Sequence, residues 1–347
     1  MADPPDILTV HATTQPDKTA IIYDPPGGRG LEWTHAELNR EANRLANGLL
    51  ELGVRPDEAV VWCGPNSPGV VRMVHAARKI RCTAVPLNYR LSPDEAAYVV
   101  DNCDAVLVYV DAEYVGLITQ IRDRTPKVRH VVVFGGTAPA ELMDWEAIAA
   151  SVSDGEPVVT GGPAEAATMI YTSGTTGNPK GALRRGAGDP AQTAALLGLI
   201  GVRPDDVYLT TGPLYHSGPG GFYAVAFALG NTSVLQRKFD PEDWLRLVDR
   251  YKVSSTFCAP TPIRMVCSLP EETKARYDRS TMRLMLANAA PWSFALKEMY
   301  VKDFPAESLW EIYGSTELGV NTVLRPEDQI RKPGSCGQPA PGVELRL

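Results

Sequence analysis

"MIYTSGTTGNPKGALRR", residues 169–185, sets a short apolar run against ten positions, Thr172 to Gly181, that hold four hydroxyl side chains, three glycines and one lysine. Glycines let a backbone approach an anion closely and turn successive N–H groups into one concavity, while hydroxyls and a lysine add donors and positive charge. Such a loop suits a triphosphate. It is not the strand–loop–helix phosphate cradle, which sets Gly directly before Lys and Ser or Thr directly after. Here Asn178 and Pro179 precede Lys180 and Gly181 follows it, so no helix begins on the lysine in that way. The bland reading of the same residue types is a surface turn.

Working outward, short apolar, β-branched runs recur between amphipathic stretches: Ala59–Cys63, Thr83–Leu87, Ala105–Val110, Val131–Phe134, Thr168–Tyr171, Val207–Thr210, Thr232–Leu235, Thr256–Cys258, Leu284–Leu286 and Leu309–Tyr313. Strands alternating with helices predict right-handed crossovers and largely parallel sheets. So many strands exceed one tidy sheet, which predicts two doubly wound units. The first long helix is well marked: Thr34 and Glu37 make a capping box, Leu38, Ala42, Leu45, Leu49 and Leu52 recur at helical spacing, and Gly53 stops it. Ser92-Pro93-Asp94-Glu95 marks a second start, with proline at the first helical position. The stretch from Gly135 to Glu165, rich in Gly, Pro and Asp, reads as a connector between the units.

With 44% hydrophobic and 22% charged residues over 347 positions, the chain has room for two or three packed units. Net charge is −7 and the basic residues are scattered, which excludes a nucleic-acid footprint. An anion site must therefore be local. The six cysteines form no CxxC pair and no metal-ligand spacing with the five histidines, so reduced, mostly buried thiols in a cytoplasmic protein are expected. Residues 1–18 have neither a basic start nor an apolar stretch, so no signal peptide is expected. The longest apolar region, near Phe222 to Leu229, falls far short of the ~20 residues of a membrane-spanning helix. Loose membrane association is left open.

The run Tyr171-Thr172-Ser173-Gly174-Thr175-Thr176-Gly177-Asn178-Pro179-Lys180-Gly181 resembles the signature loop of the adenylate-forming superfamily: acyl-CoA synthetases, firefly luciferase and the adenylation domains of nonribosomal peptide synthetases. Trp33 to Leu38, Ala84 to Asn88 and Gly334 to Pro339 are similar to further family segments, so the resemblance spans most of the chain. It is most like a fatty-acid–CoA ligase. The resemblance implies an α/β fold of two doubly wound, mostly parallel β-sheet subdomains, with helices in a layered αβαβα arrangement, plus the start of a small β-barrel subdomain. The expected bounds are about 56–185 for the first subdomain, 1–55 with 186–325 for the second and 326–347 for the barrel. The family's small C-terminal domain, with a hinge and a lysine that aids adenylation, is absent from this chain. These residues are therefore expected to bind ATP and an acid yet complete a thioester poorly.

Adenylation joins a carboxylate to the α-phosphorus of ATP, so donors and cations around the phosphates carry much of the catalysis. Glu317, in Tyr313-Gly314-Ser315-Thr316-Glu317, is a hard carboxylate suited to Mg²⁺ beside a hydroxyl donor, Thr316. A capped helix start reads equally from those residues alone. The pentapeptide resembles the family's second core motif, which implies metal binding by Glu317 and catalytic roles for Thr316, Glu317 and Lys180. Thr172, Ser173, Gly174, Thr175, Thr176, Gly177 and Lys180 are then the phosphate contacts. Tyr313 and Gly314 would border adenine on one side and Asn288, Ala289, Ala290 and Pro291 on the other, although many relatives have glycine where Asn288 and Ala289 stand. Tyr215, His216 and Gly218 resemble the segment beside the carboxylate substrate.

No acidic residue lies within 212–230, where amino-acid-activating relatives carry an aspartate; this favours a fatty, aryl or other apolar acid without an α-amine. The greasy stretch Gly220–Leu229 reads as an acyl tunnel wall or as plain core. Leu183-Arg184-Arg185 stands where many relatives have a Thr-His pair, adding cations for pyrophosphate or CoA phosphates, or solvated side chains. The resemblance thus implies an AMP-forming acyl-CoA synthetase using ATP, Mg²⁺ and CoA as co-substrate. Two alternatives are a fatty acyl-AMP ligase serving a carrier protein and a non-catalytic binding module. Acyl length and homodimer formation are left open.

Overall fold

The computed structural model describes residues 6–163, 165–172, 179–185, 190–315 and 318–346. The first half of the chain runs α1 (Ile7–Thr14), β1 (Thr19–Tyr23), β2 (Leu31–Thr34), α2 (His35–Glu51), β3 (Ala59–Cys63), α3 (Pro68–Lys79), β4 (Thr83–Leu87), α4 (Pro93–Asn102), β5 (Ala105–Asp111), α5 (Val115–Gln120), β6 (His130–Phe134), β7 (Met143–Asp144), α6 (Trp145–Ala149), β8 (Ala167–Thr172) and β9 (Lys180–Arg185). The second half runs α7 (Pro190–Ile200), β10 (Val207–Thr210), α8 (Ser217–Ala228), β11 (Thr232–Leu235), α9 (Pro241–Tyr251), β12 (Ser255–Cys258), α10 (Pro260–Cys267), α11 (Glu271–Lys274), β13 (Leu284–Ala287), α12 (Phe294–Asp303), β14 (Leu309–Ser315), β15 (Gly319–Leu324) and β16 (Gln338–Pro339). These form two compact units, one of residues 1–19 with 33–186 and the other of residues 20–32 with 187–347.

The first unit is a seven-stranded sheet in the order β7-β6-β5-β3-β4-β8-β9, parallel throughout except for the antiparallel β8–β9 hairpin at its edge. Its central strands are buried on both faces, as continuous Val-rich runs require. Both expected helix starts are present with reciprocal side-chain and backbone bonds, Thr34 with Glu37 and Ser92 with Glu95. The bounds expected from sequence need correction here: α1 and α2 belong to this unit and not to the second. Amphipathic spacing says that a helix packs, not on which sheet, and ion pairs make the choice. Lys79 of α3, its side chain 1% exposed, donates to Asp6 at 3.0 Å, Thr9 at 2.8 Å and Glu156 at 2.8 Å. Arg72 of α3 bonds Glu41 of α2 at 3.1 Å and the Tyr109 hydroxyl at 2.7 Å. Residues 135–165 are likewise no connector between units. They add β7 and α6 and then run along α2, where Asn43 donates to the Asp154 carbonyl at 2.9 Å.

His75, buried on α3, has its imidazole held well below the ordinary value of 6.5, by burial first and then by Arg78. It is neutral in the fold, whereas the unfolded chain takes a proton near 6.5, so unfolding takes up a proton on the acid side. Stability is therefore fully present above that pH and falls as pH drops below it. Urea midpoints at pH 7.5 and 5.5 should differ in that sense, and His75→Gln should flatten the difference. An unchanged difference in the variant would remove His75 as its source.

The second unit is a nine-stranded sheet in the order β16-β15-β14-β13-β12-β10-β11-β1-β2. Strands β14, β13, β12, β10, β11 and β1 run parallel, and β15 and β16 add antiparallel pairs at one edge. Residues 326–347 cluster with this unit, where β16 pairs with β15; a separate barrel stays an expectation. The core gathers Trp244, Leu245 and Val248 of α9 with Leu296 and Tyr300 of α12. All six thiols are free, with Cys336 exposed and the other five buried. Burial pushes Cys63, Cys82 and Cys103 up to about 12, so they are unreactive thiols. Among the described residues no helix is long and apolar enough to cross a membrane.

Candidate functional site

In the first unit the signature loop closes a β-hairpin. Strand β8 pairs with β4 only at Ala167 and Thr168, and beyond that its partner is β9 alone. The ladder ends on Thr172 opposite Lys180, so these two residues frame the loop between them. Thr172 is half-buried and Lys180 exposed. Ser173, Gly174, Thr175, Thr176 and Gly177 lie outside the described residues. The arm is anchored by Met169 and Tyr171, which pack on the core of this unit, and by the Tyr171 hydroxyl, which donates to Asn102 at 2.7 Å. Gly181 has a packing reason: a Cβ there would stand 2.9 Å from Met169 Sδ and 3.1 Å from Tyr171 Cζ. Arg185 pairs with Asp57 and reaches the Glu165 carbonyl at 3.3 Å, so of the two added cations it is committed to the fold while Arg184 is exposed.

In the second unit β10, β12, β13 and β14 are parallel, so the segments that follow them emerge on one edge of the sheet. Ligands of open α/β sheets bind at that carboxyl edge, where the order of strands reverses. Here the reversal falls between β10 and β12, since the chain goes from β10 outward to β11 and returns to β12. After β10 come Tyr215 and His216. Tyr215 is buried, and its ring lies 4.4 Å from that of His216, which is exposed at the cap of α8. Gly218 lets α8 lie against Phe257 of β12, because a Cβ would fall 2.5 Å from that ring.

After β13, Asn288 ties three strand ends together. Its N–H donates to the Cys258 carbonyl at 3.2 Å and its Nδ2 to the Ile312 carbonyl at 2.8 Å, so this carboxamide is already engaged. Ala289 follows with φ +71°, a left-handed conformation that costs an alanine strain and a glycine none. Ala290 and Pro291 are exposed. On β14, Tyr313 is 58% exposed and follows Ile312, the residue whose carbonyl Asn288 holds. Gly314 sits at a bulge where the β14–β15 register shifts. Ser315 Oγ accepts from the Leu318 N–H at 3.2 Å; Thr316 and Glu317 lie outside the described residues.

Two supports escaped the sequence reading. Glu311 of β14 forms a buried ion pair with Lys297 of α12 and accepts from the Trp292 N–H at 3.5 Å, bracing the turn after β13. Nothing in the spacing of Lys297 and Glu311 marks them, since their pairing depends on a strand-to-helix crossing. The Gly314 bulge is equally unmarked. Among the described residues no cluster of three or more His, Cys, Asp or Glu could cage a metal.

A family model described as AMP-binding enzyme matches residues 8–347. The indoleacetate–CoA ligase of Aromatoleum aromaticum is 30% identical over 343 residues, covering 97% of this chain and 64% of that protein. The crotonobetaine/carnitine–CoA ligase of Salmonella arizonae is 32% identical over 337 residues, covering 93% of this chain and 63% of that protein. The chain thus spans somewhat under two thirds of the length of these curated relatives. Among solved structures, the anthranilate CoA ligase AuaEII in complex with anthranoyl-AMP matches with a TM-score of 0.85 at 25% identity, over 100% of this chain and 67% of that one. The inhibitor-bound N-terminal domain of FACL13 from Mycobacterium tuberculosis matches with a TM-score of 0.81 at 26% identity, over 96% of this chain and 81% of that one. With two mostly parallel sheets, a framed Ser/Thr/Gly loop and a family match along nearly its whole length, this chain belongs to the AMP-binding enzyme family.

Proposed function

We propose that this chain holds ATP and a carboxylic acid for an AMP-forming acid–CoA ligase. A carboxylate oxygen attacks the α-phosphorus, the bond to pyrophosphate breaks, and an acyl-adenylate forms; the CoA thiol then attacks the acyl carbon and AMP leaves. The observation that carries the reading is the carboxyl edge of the second sheet, where Asn288, just before Ala289 and Ala290, bonds the Ile312 carbonyl next to the exposed Tyr313, whose ring would offer a face to a purine. Thr172 to Lys180 are assigned to the phosphates, with Thr316 as a donor to the α-phosphate and Tyr215, His216 and Gly218 beside the acid. Glu317 would supply a carboxylate to Mg²⁺, whose charge would offset that of the phosphates. Curated relatives take indoleacetate, crotonobetaine or carnitine, ferulate and 2-succinylbenzoate by name, acids of widely differing polarity, so the substrate proposed here is a carboxylic acid in general; the lack of an acidic residue in 212–230 favours one without an α-amine, a fatty acid being one member.

Acid-dependent exchange of pyrophosphate into ATP tests the reading. Glu317→Gln should slow it about a hundredfold, equivalent to about 2.7 kcal/mol of transition-state stabilisation, with the fold intact. Exchange at the unaltered rate in the variant would end the metal assignment, and none with any acid would end the enzymatic reading.

A further inference from the structure

Among the described residues, five that are not glycine adopt a left-handed backbone: Asp57, Arg81, Asp104, Lys252 and Ala289. Arg81, Asp104 and Lys252 follow the ends of α3, α4 and α9, where a left-handed residue is the common way out of a helix, and Asp57 leads into β3. Ala289 is different. It ends no helix, it stands just past the carboxyl end of β13, and it is exposed. A strained conformation of this kind persists only where the surroundings impose it, and such positions gather at ligand sites.

What imposes it is the residue before. Asn288 is fixed between two strands, its N–H donating to the Cys258 carbonyl of β12 at 3.2 Å and its Nδ2 to the Ile312 carbonyl of β14 at 2.8 Å. The Oδ1 of the same carboxamide accepts from the Ala289 N–H, which turns that amide inward. The far end of the turn is fastened to β14 as well, one residue earlier, where Glu311 accepts from the Trp292 N–H at 3.5 Å. The turn is thus clamped at both ends, and only the Asn288 carboxamide reaches the strained residue.

We infer that Asn288 is a positioning residue of the nucleotide site: its carboxamide keeps Ala289 left-handed before ATP arrives, so that the turn of residues 288–291 is preformed for the purine. The inference rests on the ATP-binding reading above. Released from the carboxamide, an alanine leaves the left-handed region by about tenfold. The apparent affinity for a ligand that needs that region then falls by the same fraction. Glycine enters the region as readily as its mirror image, so a glycine at 289 does not need the clamp.

Calorimetry of ATP with Mg²⁺ and pyrophosphate-exchange kinetics on the intact protein test this. Asn288→Ala should raise Kd and KM for ATP about tenfold, with the loss in KM and not in kcat, because saturating ATP draws the turn back into shape. A mere loss of folded protein would lower kcat and leave KM alone. Adding Ala289→Gly should bring Kd back to within about threefold of the unaltered protein. Unchanged ATP affinity in Asn288→Ala would overturn the inference. So would a loss that the added glycine fails to recover, since the carboxamide would then act as a direct contact. Should Asn288→Ala not fold, the double variant decides alone: an affinity within about threefold upholds the clamp, and one tenfold weaker ends it. No ATP binding by the unaltered protein would overturn this inference and the nucleotide reading together, whereas ATP binding rescued by glycine without acid-dependent exchange would end the enzymatic reading alone.

Discussion

Gly314→Ala is expected to slow acid-dependent pyrophosphate exchange by at least a hundredfold and to lower the stability of the second unit by about 1–3 kcal/mol, the range for overpacking. A Cβ at this bulge would overlap the Gly319 carbonyl oxygen and stand 2.9 Å from its carbon and 3.0 Å from the Val320 Cα. All three are backbone atoms, so no side chain can swing aside. The β14–β15 pair must part or slide, and the turn between Ser315 and Leu318 moves with it. Since a shift of about 1 Å in a positioning element can cost roughly a hundredfold in rate, the proposed metal carboxylate and α-phosphate donor lose their register together. Urea unfolding and exchange kinetics on one preparation check this. A variant with the original midpoint and rate would show that the bulge is dispensable.

Lys297→Met is expected to cost about 3–5 kcal/mol, because it leaves the Glu311 carboxylate buried without its counter-charge. The pair is enclosed, with the Lys297 side chain 3% and the Glu311 side chain 13% exposed. Thermal unfolding of the unit should drop by roughly 10 °C, given about 2–4 °C per kcal/mol for a body of this size. Adding Glu311→Leu should restore much of the loss, since a buried ion pair replaced by well-packed apolar groups is often close to neutral. The double variant should still bind ATP more weakly, as the Trp292 N–H loses its acceptor and the turn from Asn288 to Pro291 loses a brace. If the double variant melts as low as the single, desolvated charge is not the cause.

Much of the architecture is legible in the residues. The ten apolar runs read as strands all appear as strands, because a buried parallel strand must be hydrophobic on both faces. The strands not foreseen are β1, β7, β9, β15 and β16, while β2 ends in the segment that resembles the family's early strand-to-helix passage. Strand β9, Lys-Gly-Ala-Leu-Arg-Arg, is exposed along most of one edge, and basic side chains guard such an edge instead of signalling it. Helix α2 was marked in spacing and caps while α1 was not, and the home unit of both depended on Lys79 and Arg72 finding carboxylates far off in sequence. At the site, the motif residues stood out because many fit one pattern contiguously. Lys297 and Glu311 did not, since their significance comes only from what the fold puts around them.

Strand β1 leaves the first unit to lie beside β11, with Ile21 next to Ser233 and Tyr23 next to Leu235, about 210 residues later. On a ribosome adding about 5–20 residues per second, this amino-terminal segment emerges roughly 10–40 s before its neighbour. Through that interval one edge of β1 has β2 at hand while the edge that β11 will occupy faces only water. The nascent chain therefore carries an open template for foreign strands until β11 has been made, and its yield in a cell depends on that wait as well as on the folded protein's stability.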